Sequence, residues 1–347
     1  MPARRWQFII SIGLTIGVVI LAYSNRHKVS SAFALLAHAN LIWIAVALCV
    51  ELTSFFISSR VYAPALHSLG YRFSMLRLWA MTLVAIVLSQ SFPAGGVASY
   101  AFLVQAFRRK GVTSGHAALL ASLEALSYAT AMILLFCFSL FFITFKEGFS
   151  AAGGPSLVAA VVSLVVIGTA VFVLTRSQES LQAWLLRVKN GVAHLLHREW
   201  SDDPINRIVD DLARGRSLIT DQPRQMALLI CLQLLALTGH SLTMLSVLHS
   251  LGVTTSLFVV MASFGIALMS STFNVLPGGG GTVETAIAVV LQSLGVSEAA
   301  ITAAVIFRLL NFWLLTPVAF VFYRWLIHGT KPSAELAQIS EKQVPHQ

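Results

Sequence analysis

The sequence predicts an all-α membrane protein: a polytopic helical bundle with inverted-topology repeats, each containing a re-entrant helical hairpin broken by Pro and Gly. The first observation is composition, since hydrophobic residues make up 57% of the chain and charged residues 11%. Several apolar runs approach or exceed the ~20 residues that cross a bilayer as a helix. The second observation is a duplication, because the segment LHSLG at 66–70 recurs letter for letter at 248–252.

The duplication continues downstream with a constant spacing. The motif PAGG at 93–96 is matched by PGGG at 277–280, which begins 184 residues later. With the same offset, Gly-Val at 111–112 is matched by Gly-Val at 295–296. Three matches in the same order indicate a true repeat, and a duplicated membrane unit with Pro/Gly breaks is typical of transporter-like cores.

The predicted membrane segments follow from the apolar runs and from their Pro and Gly boundaries. In chain order they are 6–24, 40–59, a broken pair 75–92 and 97–107, 116–145, 155–175, 226–248, a second broken pair 257–276 and 282–294, and 299–327. The segment 97–107 would rise only about 16 Å as a helix, too little to cross a hydrocarbon core of ~30 Å. We therefore interpret each broken pair as a re-entrant hairpin, whose tip must lie inside protein or beside a water-filled cavity.

The basic residues support this topology. With two hairpins, all but four of the 23 Lys and Arg fall on one side of the membrane. The exceptions are Arg26, Lys28, Lys146 and, inside the membrane, Arg308. The positive-inside rule then predicts a multi-pass protein of the cell inner (cytoplasmic) membrane with both termini cytoplasmic. The net charge of +9 is explained by basic loops beside anionic lipid, so it does not indicate a nucleic-acid partner.

The same reasoning divides the chain into five segments. They are 1–39, a first transmembrane helix and connector; 40–146, repeat 1; 147–225, a linking span and a cytoplasmic interfacial segment; 226–330, repeat 2; and 331–347, a polar cytoplasmic tail. Each repeat consists of a span, a hairpin and a span. Because the span 155–175 reverses the chain between the repeats, the two hairpins enter from opposite sides. Such repeats place a binding site near the midplane, where the broken elements meet.

Glu124 and Arg308 are the first candidate site residues. The offset of 184 residues sets them against each other, and each lies in the first half of an apolar helix. A charge at mid-membrane costs roughly 2.5–3.5 kcal/mol, so it normally faces protein or water and has a partner. Two interpretations stay open. The residues form a structural ion pair, or they line a polar path in which Arg308 meets an anionic head group and Glu124 an amine or hydroxyl.

The most specific segment is PGGGGTVE at 277–284. Glycines at a helix start leave backbone N–H groups unshielded, and the positive end of the helix favours an anion such as a phosphate. Glu284 either caps those N–H groups or contacts a substrate amine or a coupled proton. In the weaker first copy, Tyr100 stands where Glu284 stands. The other candidate substrate-binding residues of the two tips are Pro277, Gly278, Gly279, Gly280, Gly281, Pro93, Gly95 and Gly96.

Glu51 is the last candidate substrate-binding residue. It lies in the middle of a predicted span, where it either lines the path or pairs with a cation such as Arg60. His240 is expected to be a hydrogen-bonded interior histidine rather than a ligand. The sequence contains no phosphate-loop, zinc-protease or serine-hydrolase motif, and we predict no catalytic residue, no metal and no cofactor.

The segment LPGGGGTVE at 276–284, followed by Gly295 and by RLLNFW at 308–313, resembles the membrane domain of lysylphosphatidylglycerol synthase. That domain is also found alone in related, flippase-like integral membrane proteins. The late motif of the family reads approximately P-G-G-x-G-x-x-E, with an Arg on the next helix. Glu284 and Arg308 match those two positions.

The resemblance covers roughly residues 40–330 and is looser around 92–124, where the family often has P-x-x-x-G-E and this chain has PAGGVASY. It implies lipid handling, because the domain is thought to move aminoacylated phosphatidylglycerol to the outer leaflet. The soluble aminoacyl-transferase domain is not expected here, since the chain ends shortly after its last predicted span. No enzymatic activity is therefore expected.

Three functional hypotheses follow. The first is a flippase-like lipid translocase that moves a phospholipid or lipid-linked head group between leaflets. Its partners would be membrane lipids, either an anionic or aminoacylated phospholipid or a polyprenyl-phosphate lipid. The second is a transporter of a small polar solute or ion. The third is a non-transporting membrane partner of a lipid synthase or glycosyltransferase.

Overall fold

The computed structural model describes residues 39–92, 95–147, 223–271, 282–296 and 299–328. Several predictions lie outside these ranges, namely the spans 6–24 and 155–175, nearly all of the segment 176–224, the tail 331–347, Pro93 and the motif residues 277–281. Every regular element in the described ranges is helical, and four of the helices are long and apolar enough to cross a membrane. The prediction of an all-α, multi-pass membrane protein is confirmed.

The helices follow the predicted segments closely. They are α1 Leu41–Ser59, α2 Tyr62–Ser68, α3 Met75–Ser91, α4 Gly95–Arg108, α5 Ser114–Glu147, α6 Pro223–Ser250, α7 Leu257–Ser271, α8 Thr282–Ser293, α9 Ala299–Arg308 and α10 Leu315–His328. A π-helical turn at Leu309–Trp313 joins the last two. The predicted span 116–145, for example, is longer by two residues at each end in α5.

The lengths of the helices repeat in the order long, short, short, long. The four candidate spans are Leu41–Ser68, Ser114–Phe145, Pro223–Ser250 and Ala299–Leu326. Two short helices lie between the long ones of each unit: α3 and α4, here named the first pair, and α7 and α8, the second pair. With 14 and 12 residues, α4 and α8 rise only about 21 and 18 Å, less than the ~30 Å of a bilayer core.

The helices also pack in matching ways in the two units. Within each pair the two arms contact each other, and the second arm packs on the helix that follows, α4 on α5 and α8 on α9. The first arm packs on the closing helix of the other unit, so α3 contacts α10 and α7 contacts α5. The opening helices α1 and α6 pack along each other. This exchange of partners between the units supports the duplication inferred from the sequence.

The glycines of the duplicated motifs have equivalent conformations in the two units. Four of them follow a helix end with positive φ: Gly70 (79°), Gly111 (88°), Gly252 (77°) and Gly295 (91°). Glycine adopts this left-handed region without steric cost. In each case the N–H of the next residue donates to the carbonyl five residues before it, at 2.9 to 3.3 Å. The four helices therefore end in the same Schellman motif, which satisfies their last carbonyl groups.

Two other glycines allow neighbouring helices to approach closely. A Cβ at Gly239 of α6 would lie 2.1 Å from Ser54 Oγ of α1. A Cβ at Gly265 of α7 would lie 2.1 Å from Ser139 Oγ and 2.9 Å from the carbonyl oxygen of Leu135, both on α5. Small residues at helix contacts are the usual means of tight packing within a membrane.

Candidate functional site

Arg308 lies at the centre of the candidate site. It ends α9, whose other nine residues are uncharged, and only 7% of its surface is exposed. Because burying a charge is costly unless it is paired, its N–H groups need acceptors. Nη1 donates to Gln90 Oε1 at 2.6 Å, and Nε lies 3.3 Å from Glu284 Oε1 in an ion pair.

The two partners of Arg308 belong to the two broken pairs. Gln90 is the next-to-last residue of α3, three residues before Pro93. Glu284 lies in the first turn of α8, three residues after Gly281. One guanidinium therefore links the first arm of the first pair to the second arm of the second pair, beside both Pro/Gly breaks.

A π-helical turn directly follows Arg308. It covers Leu309–Trp313, and the N–H of Leu314 donates to the carbonyl of Leu309 at 2.8 Å. Such turns are rare and often occur at functional sites. The turn carries Phe312, whose ring centroid lies 4.8 Å from Arg308 Cζ, so the guanidinium also packs on an aromatic face.

Glu51 forms a second polar cluster. Its side chain on α1 is fully buried, and its two carboxylate oxygens lie 2.9 and 3.0 Å from His240 Nδ1 on α6. Asn311 donates from the π-helical turn to the same carboxylate through Nδ2. The ring of Phe55 lies 4.9 Å from that of His240. A carboxylate at this depth is thus paired and hydrogen-bonded, as buried charges require.

This cluster settles two expectations. The partner of Glu51 is His240 and not Arg60, whose guanidinium lies over the ring of Phe56 at 5.0 Å. The expectation that His240 is a hydrogen-bonded interior histidine is confirmed, with 8% of its surface exposed. Its partner, 189 residues away in the sequence, required the fold to identify.

The two clusters share one structural element. Arg308 and Asn311 are three residues apart, at the start of the π-helical turn and within it. Any rearrangement of this turn would therefore move the contact between the broken pairs and the Glu51 cluster together. The connected side chains come from α1, α3, α6, α8 and the segment that joins α9 to α10.

The predicted pairing of Glu124 with Arg308 is wrong, since the carboxylate that pairs with Arg308 is that of Glu284 and no ion pair joins it to Glu124. Glu124 lies half-buried on α5. The reason is geometric. Repeat-related residues meet only where the units contact each other symmetrically, as α1 and α6 do, whereas α5 packs on α4 and α7, and α9 packs on α8 and α6.

The residues of the Pro/Gly tips are only partly described. Gly95 and Gly96 begin α4, and Gly96 is exposed, whereas Pro93 and residues 277–281 lie outside the described ranges. Glu284 lies where a cap is expected, but its Oε1 pairs with Arg308. Its Oε2 is buried and accepts no hydrogen bond from the described residues. The capping role is therefore not observed within the described chain.

Three contributors to the site were not identified from the sequence: Gln90, Asn311 and Phe312. Gln90 and Asn311 are uncharged, and polar amides occur in many membrane helices without a role in binding. The signal that points to Gln90 is its position one turn before Pro93, at the end of a mostly apolar helix. For Asn311 the signal is its spacing of three residues from Arg308. Among the described residues, no group of three His, Cys, Asp or Glu side chains is placed to hold a metal.

Most of the chain matches a known family model, that of the lysylphosphatidylglycerol synthase TM region, over residues 8–319. The chain belongs to this family. The match includes every candidate residue from Glu51 to Arg308, and the resemblance inferred from the late motif is confirmed. No curated protein matches the chain as a relative. Membership of the lysylphosphatidylglycerol synthase TM family, together with the helical architecture, indicates a membrane role related to lipids.

Proposed function

We propose that the protein is a flippase-like translocase of the cell inner membrane, which moves a phospholipid or lipid-linked head group between leaflets. The observation that carries this proposal is the buried guanidinium of Arg308, which contacts Gln90 and Glu284 and so connects the two broken pairs. Family membership supports a lipid as the substrate. The proposed activity is movement of a lipid, and aminoacyl transfer is not part of it.

The chemistry of the cluster suits a phosphate-bearing head group. A guanidinium offers five N–H donors in a planar fork and binds two oxygens of one phosphate at once. In the present arrangement Arg308 holds Gln90 and Glu284, and a phosphate would replace one or both of them. Glu284 would then be free to accept a hydrogen bond from an amine or hydroxyl of the same head group. Arg308 would thus recognise the phosphate, and Glu284 would select the group attached to it.

The proposed path runs between two re-entrant hairpins, formed by the first and second pairs, which enter from opposite sides of the membrane. Two observations support this arrangement: the repeated order of long and short helices, and the exchange of packing partners between the units. Both termini are cytoplasmic in this proposal, because the basic residues then lie on the cytoplasmic side. The acyl chains would remain in the bilayer while the head group passes Arg308.

The test is a measurement of lipid exposure in proteoliposomes. Purified protein is reconstituted with one fluorescently labelled lipid at a time: phosphatidylglycerol, lysylphosphatidylglycerol, phosphatidylethanolamine or a polyprenyl phosphate. Dithionite, which destroys the fluorescence of the label, is added outside the vesicles, so labelled lipid in the inner leaflet stays fluorescent unless the protein moves it outward. Wild type is expected to expose the inner-leaflet lipid to dithionite for at least one of these lipids. Arg308→Ala is expected to slow exposure at least about 30-fold, because truncating one partner of a buried charge pair costs 2 kcal/mol or more.

Arg324→Ala is the matched control, since Arg324 lies exposed on α10 and its loss removes the same charge. It should move lipid at the wild-type rate. If no lipid is exposed by wild type, with or without a proton gradient, the translocase proposal is wrong. Uptake of a small polar solute into the same vesicles would then support the second hypothesis, a solute or ion transporter. No uptake would support the third, a non-transporting membrane partner of a lipid synthase or glycosyltransferase.

A further inference from the structure

A small concave site lies apart from the Arg308 cluster. It is an open cavity of about 40 Å³, lined by Arg77, Lys110, Trp325 and Leu326. Arg77 lies in the first turn of α3, Lys110 follows the end of α4, and Trp325 lies in the last turn of α10. The open end of the first pair and the end of the closing helix thus meet at one end of the bundle. The Arg308 cluster, in contrast, contacts the first pair at its Pro/Gly break.

Two cations share this cavity without a counter-charge from the described chain. Neither Arg77 nor Lys110 forms an ion pair with a carboxylate of the described residues. Partial burial, and then the positive charge of Arg77, lower the pKa of Lys110. The guanidinium of Arg77 lies over the ring of Trp325, with 5.9 Å between Cζ and the ring centroid. Like charges held together in this way are unfavourable until an anion neutralises them.

The setting of the cavity indicates a lipid rather than a soluble anion. Trp325 is 44% exposed near the end of an apolar membrane helix, where Trp side chains usually lie at the depth of the head groups. The sequence predicts that this end of the bundle faces the cytoplasm. The cytoplasmic leaflet carries anionic lipids, and basic pockets between membrane helices on that side bind their head groups.

We infer that Arg77, Lys110 and Trp325 form a binding site for the phosphate of an anionic phospholipid head group, separate from the Arg308 cluster. The phosphate lies between the two cations, and the glycerol and upper acyl chain lie along Trp325 and Leu326. This arrangement gives each cation a counter-charge and covers the exposed face of the indole. The inference does not depend on lipid movement, because it requires binding alone.

The test uses Trp325 as its own probe. Full-length protein is placed in nanodiscs of phosphatidylcholine that contain increasing fractions of phosphatidylglycerol, with bromine on the acyl chains of one lipid at a time. Bromine quenches nearby indole fluorescence. The chain has seven Trp, so the signal of Trp325 is the difference between wild type and Trp325→Phe. Inorganic phosphate, at chloride-matched ionic strength, is added in a second series to separate a free anion from an intact lipid.

Wild type is expected to show quenching of Trp325 by phosphatidylglycerol at a several-fold lower fraction than by phosphatidylcholine. Arg77→Gln and Lys110→Gln should each reduce this preference about fivefold, the effect of one cation near an anionic surface. Lys110→Arg should retain it. Arg72→Gln, which removes an exposed charge just before α3, should also leave it unchanged. A full thermal unfolding transition for each variant excludes loss of the fold as the cause.

The outcomes separate the alternatives. A preference for phosphatidylglycerol that inorganic phosphate does not reduce identifies an intact lipid as the ligand. Competition by inorganic phosphate identifies a site for the phosphate group from either source. Equal quenching by the two lipids in wild type, or an equal loss of preference in Arg72→Gln and Arg77→Gln, overturns the inference. Failure of wild type to move any lipid in the proteoliposome experiment would leave these results unchanged.

Discussion

The contact between α1 and α6 contains two repeat-related polar pairs, of which only one is ionisable. The spacing of 182 residues between the two LHSLG segments also relates Glu51 to Gln233 and Ser58 to His240. His240 Nδ1 lies 2.9 Å from the Glu51 carboxylate, whereas Ser58 Oγ donates to Gln233 Oε1 at 3.3 Å. All four side chains are buried. The same contact therefore occurs twice, once with ionisable groups and once without.

The two units thus place polar side chains at equivalent points of the α1–α6 contact, and these side chains differ in chemistry. The ionisable pair is the one that receives Asn311 from the turn next to Arg308, whereas Gln233 Nε2 finds no hydrogen-bond acceptor among the described residues. Buried charge in a membrane is costly. The ionisable pair is therefore kept here at a higher cost than the neutral pair, and it is the pair that contacts the turn next to Arg308.

The largest expected effect compares two glutamates: Glu284, which pairs with Arg308, and Glu124, which the repeat offset sets against Arg308. Glu284→Gln should lower the free energy of unfolding by about 3 kcal/mol and abolish lipid movement, because Arg308 stays charged and loses its carboxylate. Glu124→Gln should change the free energy of unfolding by less than about 1 kcal/mol, since no ion pair joins Glu124 to Arg308. Denaturant unfolding in detergent and the proteoliposome assay measure the two quantities.

A double variant, Glu284→Gln with Arg308→Gln, completes the cycle and should recover part of the lost stability, because the uncompensated charge is then gone. If Glu124→Gln were as damaging as Glu284→Gln, the two units would be coupled through Glu124 after all. The pairing predicted from the repeat offset would then describe a state other than the present structure.

A smaller effect is expected when the two α1–α6 pairs are broken. Glu51→Ala should destabilise by roughly 2 kcal/mol, because it leaves Asn311 without its buried acceptor and His240 without its partner. The cost is lower than for Glu284→Gln, since the partner that Glu284→Gln leaves behind is an arginine, which stays charged. Gln233→Ala should cost about 1 kcal/mol, the value of one ordinary hydrogen bond. Equal losses in the two variants, measured by denaturant unfolding, would remove the distinction between the pairs.

The helices were predictable from the sequence because apolar runs and Pro/Gly boundaries are local signals. The start of α8 at Thr282 coincides with the predicted residue, directly after the glycine run. The π-helical turn at Leu309–Trp313 was not predictable, since neither hydropathy nor breaker residues distinguish an i→i+5 hydrogen bond from an i→i+4 one. The prediction of 299–327 as one uninterrupted span therefore missed the element that joins the two polar clusters.

The ionisable residues of the candidate site were predictable from the sequence, but its uncharged members and its contacts were not. Arg308 and Glu284 were identified because ionisable residues stand out in apolar helices. Their contact with each other was missed, because the repeat offset relates equivalent positions and says nothing about which of them touch. The pairing of Glu51 with His240 depends on how α1 crosses α6, which is a property of the packed bundle. Long-range packing of this kind leaves no trace in hydropathy.

The smallest expected effect concerns the backbone, whose conformation at the repeated glycines is the same in the two units. Gly111 and Gly295 have φ of 88° and 91°, and a Cβ at either position would meet nothing within 4 Å. Gly111→Ala and Gly295→Ala should therefore each cost about 1 kcal/mol for the left-handed conformation alone, with no added clash. Gly96→Ala, within helix α4 and equally open, should be neutral or slightly stabilising. The midpoint of thermal unfolding measures the effect. An equal decrease in Gly111→Ala and Gly295→Ala would show that α4 and α8 end in the same way. A decrease in only one of them would mean that the two helix ends are equivalent in sequence but not in structure.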